Sequence, residues 1–288
     1  MKRWAKRLAL VLALAFLGMS VLNASWLAPA PRGYVKLIAQ RGTMQQFSHK
    51  DLGPRDCTAT RIEPPVHDYL ENTLPGLSQA ARLGAQAIAV TVAPTADGQI
   101  VLFHDWTLDC RTDGKGEVRK ATLAQLKALD AGYGYSADGG KTFPLRGTGR
   151  GAIPTLREAL ALLPEKPLIY TLKSRDPREA DLLIAALNEA GRKVEQIGDG
   201  FVTDAALLPR LRQAYPNAWA FSPQGVKACT KDYLVQGWLG LTPESCRNGT
   251  LFVPLNYQWA FAGWPNRTIA RMQAVGARIV ITGDRGKG

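Results

Sequence analysis

ENTLPGLSQAARLGAQAIAVTVAPTADGQIVLFHDWTLDCRTDGKG, residues Glu71 to Gly116, reads as a helix, a buried strand, a turn, a short second strand and a polar loop. Asn72 or Thr73 can cap the helix, because a short side-chain oxygen satisfies its free N–H groups. Leu77, Ala80, Ala81 and Gly84 recur at helical spacing. Ala87 to Val92 is an apolar run with β-branched residues, which predicts a strand buried on both faces. Asp97-Gly98 is turn chemistry. Ile100 to Phe103 then runs straight into His104-Asp105. An ionisable pair at the end of an apolar strand is where an α/β barrel carries its chemistry.

The same alternation extends both ways. Upstream, Val35 to Ala39 predicts a first strand ending at Gln40-Arg41-Gly42. Residues 43–70 form a polar insertion with Pro54, Pro64 and Pro65, expected to overhang the site, since long loops in compact domains are often functional. Downstream, Ala121 to Leu129 predicts a helix and Ala131 to Gly151 a surface loop. Thr155-Leu-Arg-Glu158 is a capping box that opens a helix to Leu163. Leu168 to Leu172 is a strand ending at Lys173, and Pro177 to Ala190 a helix with proline in its first turn. Phe201-Val202, Ala218 to Phe221, Gly240-Leu241 and Leu251 to Val253 are further strand candidates. Arg267 to Val275 reads as a helix and Arg278 to Thr282 as the last strand. A chain of 288 residues, 46% hydrophobic, suits one α/β barrel domain over residues 31–288.

These residues resemble the glycerophosphodiester phosphodiesterase family. The matching pieces are ENTL (Glu71 to Leu74), PTADGQ (Pro94 to Gln99), FHDWTLDCRTDGKG (Phe103 to Gly116), Arg41-Gly42, Lys173-Ser174 and AGWPNR (Ala262 to Arg267). The resemblance implies a TIM (β/α)8 barrel that hydrolyses glycerophosphodiesters, in glycerophospholipid metabolism, with two histidines and a divalent metal. It places one catalytic histidine at His104 and the other at position 40, where this chain has Gln40. An amide does not titrate near neutral pH and cannot serve as general acid or base. Arg41 and Lys173 match the family's phosphate-facing cations, and Glu71 the acidic residue of its ENT motif, all three read as substrate-binding.

The family's Glu-x-Asp motif sits on strand two, where period-2 geometry turns both carboxylates to one face. Oxygen ligands so placed suit Ca²⁺ or Mg²⁺. Here those positions are Ala89 and Thr91, and the third ligand position is Thr171. No carboxylate stands at any of the three, which argues against the metal the family implies. Without a metal, several kcal/mol of transition-state stabilisation is lost. One missing acid/base group costs a further ~10²–10⁴-fold in rate. The expected function is therefore a family member with strongly reduced or no activity. The alternative is a silent protein that binds phosphodiesters or lipid head groups, and a third reading uses only the scaffold. The flanking motifs stay intact, the pattern of a natural pseudoenzyme or of a disabled variant. Plainer roles compete at single residues. Glu71 can offset a helix N-terminus, worth about 0.3–1 kcal/mol. His104 can be a loop histidine bonded to Asp105 or backbone, and Asp109 and Asp113 read as loop-ordering residues.

Lys2, Arg3, Lys6 and Arg7 precede an apolar run from Leu8 to Leu22, and counting on to Leu27 nears the ~20 residues that span a bilayer. Residues 1–30 are thus a membrane anchor or signal segment. An uncleaved single-pass anchor is expected, with the basic end cytoplasmic and the folded part extracytoplasmic, in the periplasm. The rival is a signal peptide cut at Asn23-Ala24 and a secreted product, although Leu22 suits poorly the small-residue position before such a cut. Pro29 to Arg32 reads as a short linker. The net charge is +12, of which four belong to the basic cluster. That balance suits an anionic small-molecule phosphodiester or an anionic bilayer, and equally plain solubility. The basic residues are scattered with no nucleic-acid motif, so no nucleic-acid partner is expected. Cys57, Cys110, Cys229 and Cys246 are an even number in an exported chain. Cys57–Cys110 and Cys229–Cys246 are the expected pairs, each in loops near one part of the barrel, with four buried thiols as the alternative. Zinc is not expected, since no close cysteine pair with a nearby histidine exists.

Overall fold

A computed structural model describes residues 2–31, 33, 35–53 and 56–283; Arg32 of the expected linker and Pro54 of the insertion lie outside them. In chain order the elements are α1 (Lys2–Leu22), β1 (Ile38–Gln40), α2 (Leu74–Arg82), β2 (Ala87–Pro94), β3 (Ile100–Leu102), α3 (Leu123–Ala128), α4 (Leu156–Leu162), β4 (Leu168–Leu172) and α5 (Pro177–Glu189). There follow α6 (Val194–Ile197), β5 (Gly200–Val202), α7 (Leu208–Ala214), β6 (Trp219–Phe221), α8 (Pro223–Gln236), β7 (Thr250–Pro254), α9 (Asn266–Ala274) and β8 (Arg278–Thr282). The chain forms two compact units. One is Val35–Ser222; the other comprises the described residues of Met1–Tyr34 and Pro223–Lys287.

In the first unit, β1, β2, β4, β5 and β6 pair in that order, all parallel, and β3 pairs antiparallel with β2. Alternate residues explain the layering. Ile88, Val90, Val92, Leu168, Tyr170 and Leu172 pack with Leu77 and Ala80 of α2, Leu156 and Ala159 of α4, and Leu183 and Leu187 of α5. Each buried side chain of this kind contributes roughly 1.5–3 kcal/mol. Their neighbours Ala89, Thr91 and Thr171 take the opposite face of the same strands. Thr73 caps α2, its hydroxyl accepting from Gly76 N. Gly84 does not extend that helix; its φ of 94° lies in the turn that ends it. Thr155 and Glu158 form the expected capping box of α4.

A second core lies under the long loops. Phe47, Ala59, Ile62 and Leu70 of the insertion pack with Tyr135, Leu145 and Ile153. The 131–151 segment is therefore not a plain surface loop. Buried Asp130 pins it by accepting from the backbone N–H of Gly132, Gly147 and Gly149. The Cys57–Cys110 disulfide ties this layer together.

In the second unit, β7 and β8 pair in parallel. Cys229 on α8 is joined to Cys246 in a core with Tyr233, Leu251, Val253 and Met272. Both expected pairings are therefore formed, and no described cysteine is a free thiol.

Two further expectations need correction. The first strand begins at Ile38, not Val35, because the ladder with β2 starts at Ile38 opposite Ala87. Gly240-Leu241 is no strand. Gly240 takes φ 79° and closes a turn over Gly237–Leu239, a conformation that cannot continue an extended ladder. Helices α6, α7 and α8 were not expected. On α8 only Cys229 and Tyr233 are buried, so its apolar stripe is too thin to read.

Candidate functional site

The β2–β3 hairpin brings the central histidine into place. The turn at Asp97-Gly98 reverses the chain, Leu102 pairs with Val92, and Phe103 N donates to Thr91 O at 2.9 Å. His104 is thereby returned alongside Thr91, with Thr91 Oγ1 3.2 Å from Nδ1. Lys173, one residue past β4, reaches the other side of the ring, Nζ 3.1 Å from Nε2. An ammonium can only donate, so with Lys173 charged Nε2 accepts and the proton sits on Nδ1, donating to Thr91. His104 is thus neither a loop histidine bonded to Asp105 nor one bonded only to backbone.

Register places the remaining positions. Gln40 lies opposite Ala89, and Thr91 opposite Thr171. These four therefore share one face of three adjacent strands, beside His104.

Behind them stands an ionic lattice. Arg41 follows β1 with φ 60°, its N–H donating to Ala89 O at 2.6 Å. Gly42, at φ 80°, packs so tightly that a Cβ there would sit 2.9 Å from the Gly76 backbone. This contact fixes the β1 end against the start of α2. Arg41 Nη1 donates to both Glu71 oxygens, at 3.1 and 2.9 Å. Arg111 Nη1 lies 2.9 Å from Glu71 Oε2. Arg111 also donates to Asp105, to the Tyr135 hydroxyl and to Thr58 Oγ1. Asn72, at φ 54°, does not cap α2; its Oδ1 accepts from Thr91 N at 3.1 Å. Non-glycine residues at positive φ cost of order 1–3 kcal/mol and gather at functional sites. Arg41 and Asn72 are two of them.

The electrostatics follow from this arrangement. Burial pushes the His104 pKa down to about 2, and the charges of Arg41, Lys173 and Arg111 add to the effect. Burial and the Arg41 charge push Lys173 down to about 8, although Asp105 opposes this. Lys173 is exposed, so solvent screens part of that shift. Burial alone would raise the Glu71 carboxyl, but Arg111 and Arg41 together hold it below the ordinary carboxylate value. Glu71 is thus an ion-pair centre rather than a helix-terminus charge. Asp109 accepts from Gly116 N and Asp113 from Asp130 N, as loop-ordering residues do.

The residues at the family's metal positions do not fit a hard divalent cation, which needs several anionic oxygens. Ala89 has no donor atom, Thr91 Oγ1 already meets His104, and Thr171 offers only a neutral hydroxyl. Glu71 and Asp105 are engaged by guanidinium groups. Among the described residues, no group of three or more His, Cys, Asp or Glu side chains is placed to share an ion.

The structure thus brings Gln40, Arg41, Glu71, Ala89, Thr91, His104, Thr171 and Lys173 together in one unit. AGWPNR lies in the other unit, where the Ala262 carbonyl accepts from Tyr233 and Thr268. Sequence reasoning missed Arg111, although it lies inside the FHDWTLDCRTDGKG match. Its partners Thr58, Glu71 and Tyr135 are far off in sequence, and no local spacing announces them.

The comparisons with known proteins point to one family and one fold. Residues 66–202 match the sequence profile of the "Glycerophosphoryl diester phosphodiesterase family". A glycerophosphodiester phosphodiesterase of Caldanaerobacter subterraneus is 34% identical over 124 residues, 41% of this chain and 47% of that protein. Glycerophosphodiester phosphodiesterase 1 of Bos taurus is 33% identical over 153 residues, 53% of this chain and 44% of that one. The matched part thus spans just under half of each relative. Among solved structures, the glycerophosphoryl diester phosphodiesterase domain of an uncharacterized Mycobacterium tuberculosis protein aligns with TM-score 0.59 and 18% identity, over 86% of this chain and 87% of that one. A phosphodiesterase of Oleispira antarctica in complex with the product sn-glycerol-3-phosphate aligns with TM-score 0.55 and 20% identity, over 90% and 86%. These likenesses show the fold, an α/β barrel. The segment that carries Glu71, His104 and Lys173 belongs to the glycerophosphoryl diester phosphodiesterase family.

Proposed function

We propose that this chain binds a small phosphodiester or its phosphomonoester product on a glycerophosphodiester phosphodiesterase scaffold, and hydrolyses it very slowly or not at all. The observation that carries the reading is the state of His104. It is held between Thr91 and Lys173 in a setting where burial disfavours its charged form, with an amide at position 40 and no carboxylate at positions 89, 91 and 171. Such a ring lacks the second histidine as acid/base partner, and no carboxylate at these positions could hold a metal to activate water. Anion binding is supported by Lys173 and by the surplus of cations over free carboxylates. Two buried donors, Arg41 Nε and Asn72 Nδ2, also have no protein acceptor among the described residues. The glycerol 3-phosphate in the Oleispira structure is the natural first probe.

Hydrolysis of glycerophosphocholine with Ca²⁺ or Mg²⁺, against a chelator control, and calorimetric binding of glycerol 3-phosphate test this reading. The expected result is negligible turnover in every condition, with binding that weakens as pH rises past about 8, where Lys173 gives up its proton. Fast turnover that needs metal overturns the reduced-activity reading; absence of binding overturns the ligand class.

We further read α1 as an uncleaved single-pass anchor, with the folded units extracytoplasmic. Arg3–Leu22 is long and apolar enough to cross a membrane and is entirely unburied. A signal sequence has the same length and composition, but here the helix end is held by Arg271 and the residue after it by the Trp238 carbonyl.

A further inference from the structure

Leu22 and the residues just after it are not a loose tether. Asn23 Nδ2 donates to the Trp238 carbonyl at 2.9 Å, and Arg271 Nη1 donates to Asn23 Oδ1 at 3.0 Å. Arg271 Nη2 caps the Leu22 carbonyl at 3.1 Å, and Asn266 N donates to Ser25 Oγ at 2.9 Å. Ala24 and Ala28 are buried. The end of an apolar helix is thus bolted to α9 and to the Gly237–Leu239 turn. A cut at Asn23-Ala24 would discard two of the acceptors of Arg271, the Leu22 carbonyl and Asn23 Oδ1, and the donor to the Trp238 carbonyl.

Large apolar side chains crowd this joint with their faces in solvent. Trp26 is 81% exposed, Trp238 41%, Leu239 61% and Leu241 55%. Gly240, between the two leucines, lies against the Leu22 side chain, where a Cβ would be 3.9 Å from its methyl carbons. Trp238, Leu239 and Leu241 therefore lie beside the point where α1 ends. An apolar group of this kind marks an interaction site. Tryptophan at the end of a spanning helix belongs at the head-group level of a bilayer.

We infer that the Gly237–Leu241 turn and Trp26 form a bilayer-docking platform around the end of α1, seating the Pro223–Lys287 part of its unit on the outer lipid leaflet. The inference rests on the reading of α1 as a retained anchor. The occupant is lipid rather than protein, because the patch is continuous with the helix that would enter the membrane. Asn23 Nδ2 on the Trp238 carbonyl and Arg271 Nη1 on the Gly237 carbonyl, each at 2.9–3.0 Å, hold the turn at the end of the helix.

The test uses the full chain, with its native disulfides intact, in phosphatidylethanolamine–phosphatidylglycerol nanodiscs. Leu12→Cys, Leu239→Cys and Leu241→Cys are each labelled with an environment-sensitive fluorophore and quenched by nitroxide lipids of different depth. All three sites are exposed, so the substitutions spare the core. The expected result is blue-shifted emission at all three. Position 12 should be quenched by nitroxides deep in the acyl chains, and positions 239 and 241 by nitroxides near the head groups. Quenching at 12 with aqueous emission at 239 and 241 overturns the platform and leaves the anchor standing. Aqueous emission at 12 overturns the anchor reading and the platform with it. Blue-shifted but unquenched emission at 239 and 241 means that protein, such as a second copy, covers the turn, and also overturns the platform.

Discussion

Burial, and after it the charges of Arg41, Lys173 and Arg111, oppose protonation of His104. That has a stability consequence with a definite sign. Its folded pKa lies near 2 and its ordinary value is 6.5, so across that window the unfolded chain binds the extra proton. Stability contributed by neutral His104 is full above pH 6.5 and is lost as pH falls, by up to ~1.4 kcal/mol per pH unit. Urea unfolding of the wild type and of His104→Gln at neutral and mildly acid pH should show the variant losing less stability on acidification. Parallel losses in the two proteins would refute the depressed value. Glu71 supplies the other residue-scale test. It is the carboxylate shared by two buried guanidinium groups. Glu71→Ala leaves both without it and should cost about 3–5 kcal/mol, read from the denaturant midpoint. A loss under ~1 kcal/mol would mean that the lattice is a surface-like pair. The motif match brought His104, Glu71, Arg41 and Lys173 to notice, since each sits in a short recognisable string. It could not foresee that Arg41 spends its charge on Glu71, because that pairing is settled by the folded backbone.

Strands β1, β2 and β4 carry the positions that the family resemblance assigns to the second histidine and the metal ligands. Their register sets Gln40 beside Ala89 and Thr91 beside Thr171. Gln40→His, Ala89→Glu, Thr91→Asp and Thr171→Glu together should restore hydrolysis of glycerophosphodiesters that depends on divalent metal. Single replacements should give little, because such groups act as a unit. If the folded quadruple variant binds metal and still leaves glycerophosphocholine uncut, the site or its substrate is misplaced. Elements with dense local signals were legible: β4 and β8 match their expected bounds, and α4 begins at its capping box. Elements whose signals are tertiary were not. The start of β1 depends on where β2 pairs, and α8 is pinned by a disulfide rather than by an amphipathic stripe. Gly240 shows the same limit, since a short apolar pair beside glycine reads alike as strand or turn.

Across the whole chain, the α/β alternation and both cysteine pairings could be read from sequence, while the division into two units could not. Nothing in the composition near Phe221 to Pro223 marks a boundary, and the packing of α1 with α9 involves residues more than 200 positions apart. An anchored molecule should stay with membranes through carbonate washing and should keep Asn23 in its N-terminal peptide by mass spectrometry. A soluble species beginning near Ser25 would sink the anchor.

Cys57–Cys110 joins the two residues that immediately precede Thr58 and Arg111, and those two side chains bond to each other. The covalent link therefore sits one residue from the guanidinium that organises Glu71, Asp105 and Tyr135. In effect the disulfide is a clasp on the ion-pair lattice. With that link open the loop carrying Arg111 loses its covalent tie to the 57–58 segment, while the strand ladders, which hold neither cysteine, are untouched. Ligand and turnover measurements should accordingly compare material with both disulfides closed, checked by the absence of alkylatable thiols, with the same protein after reduction.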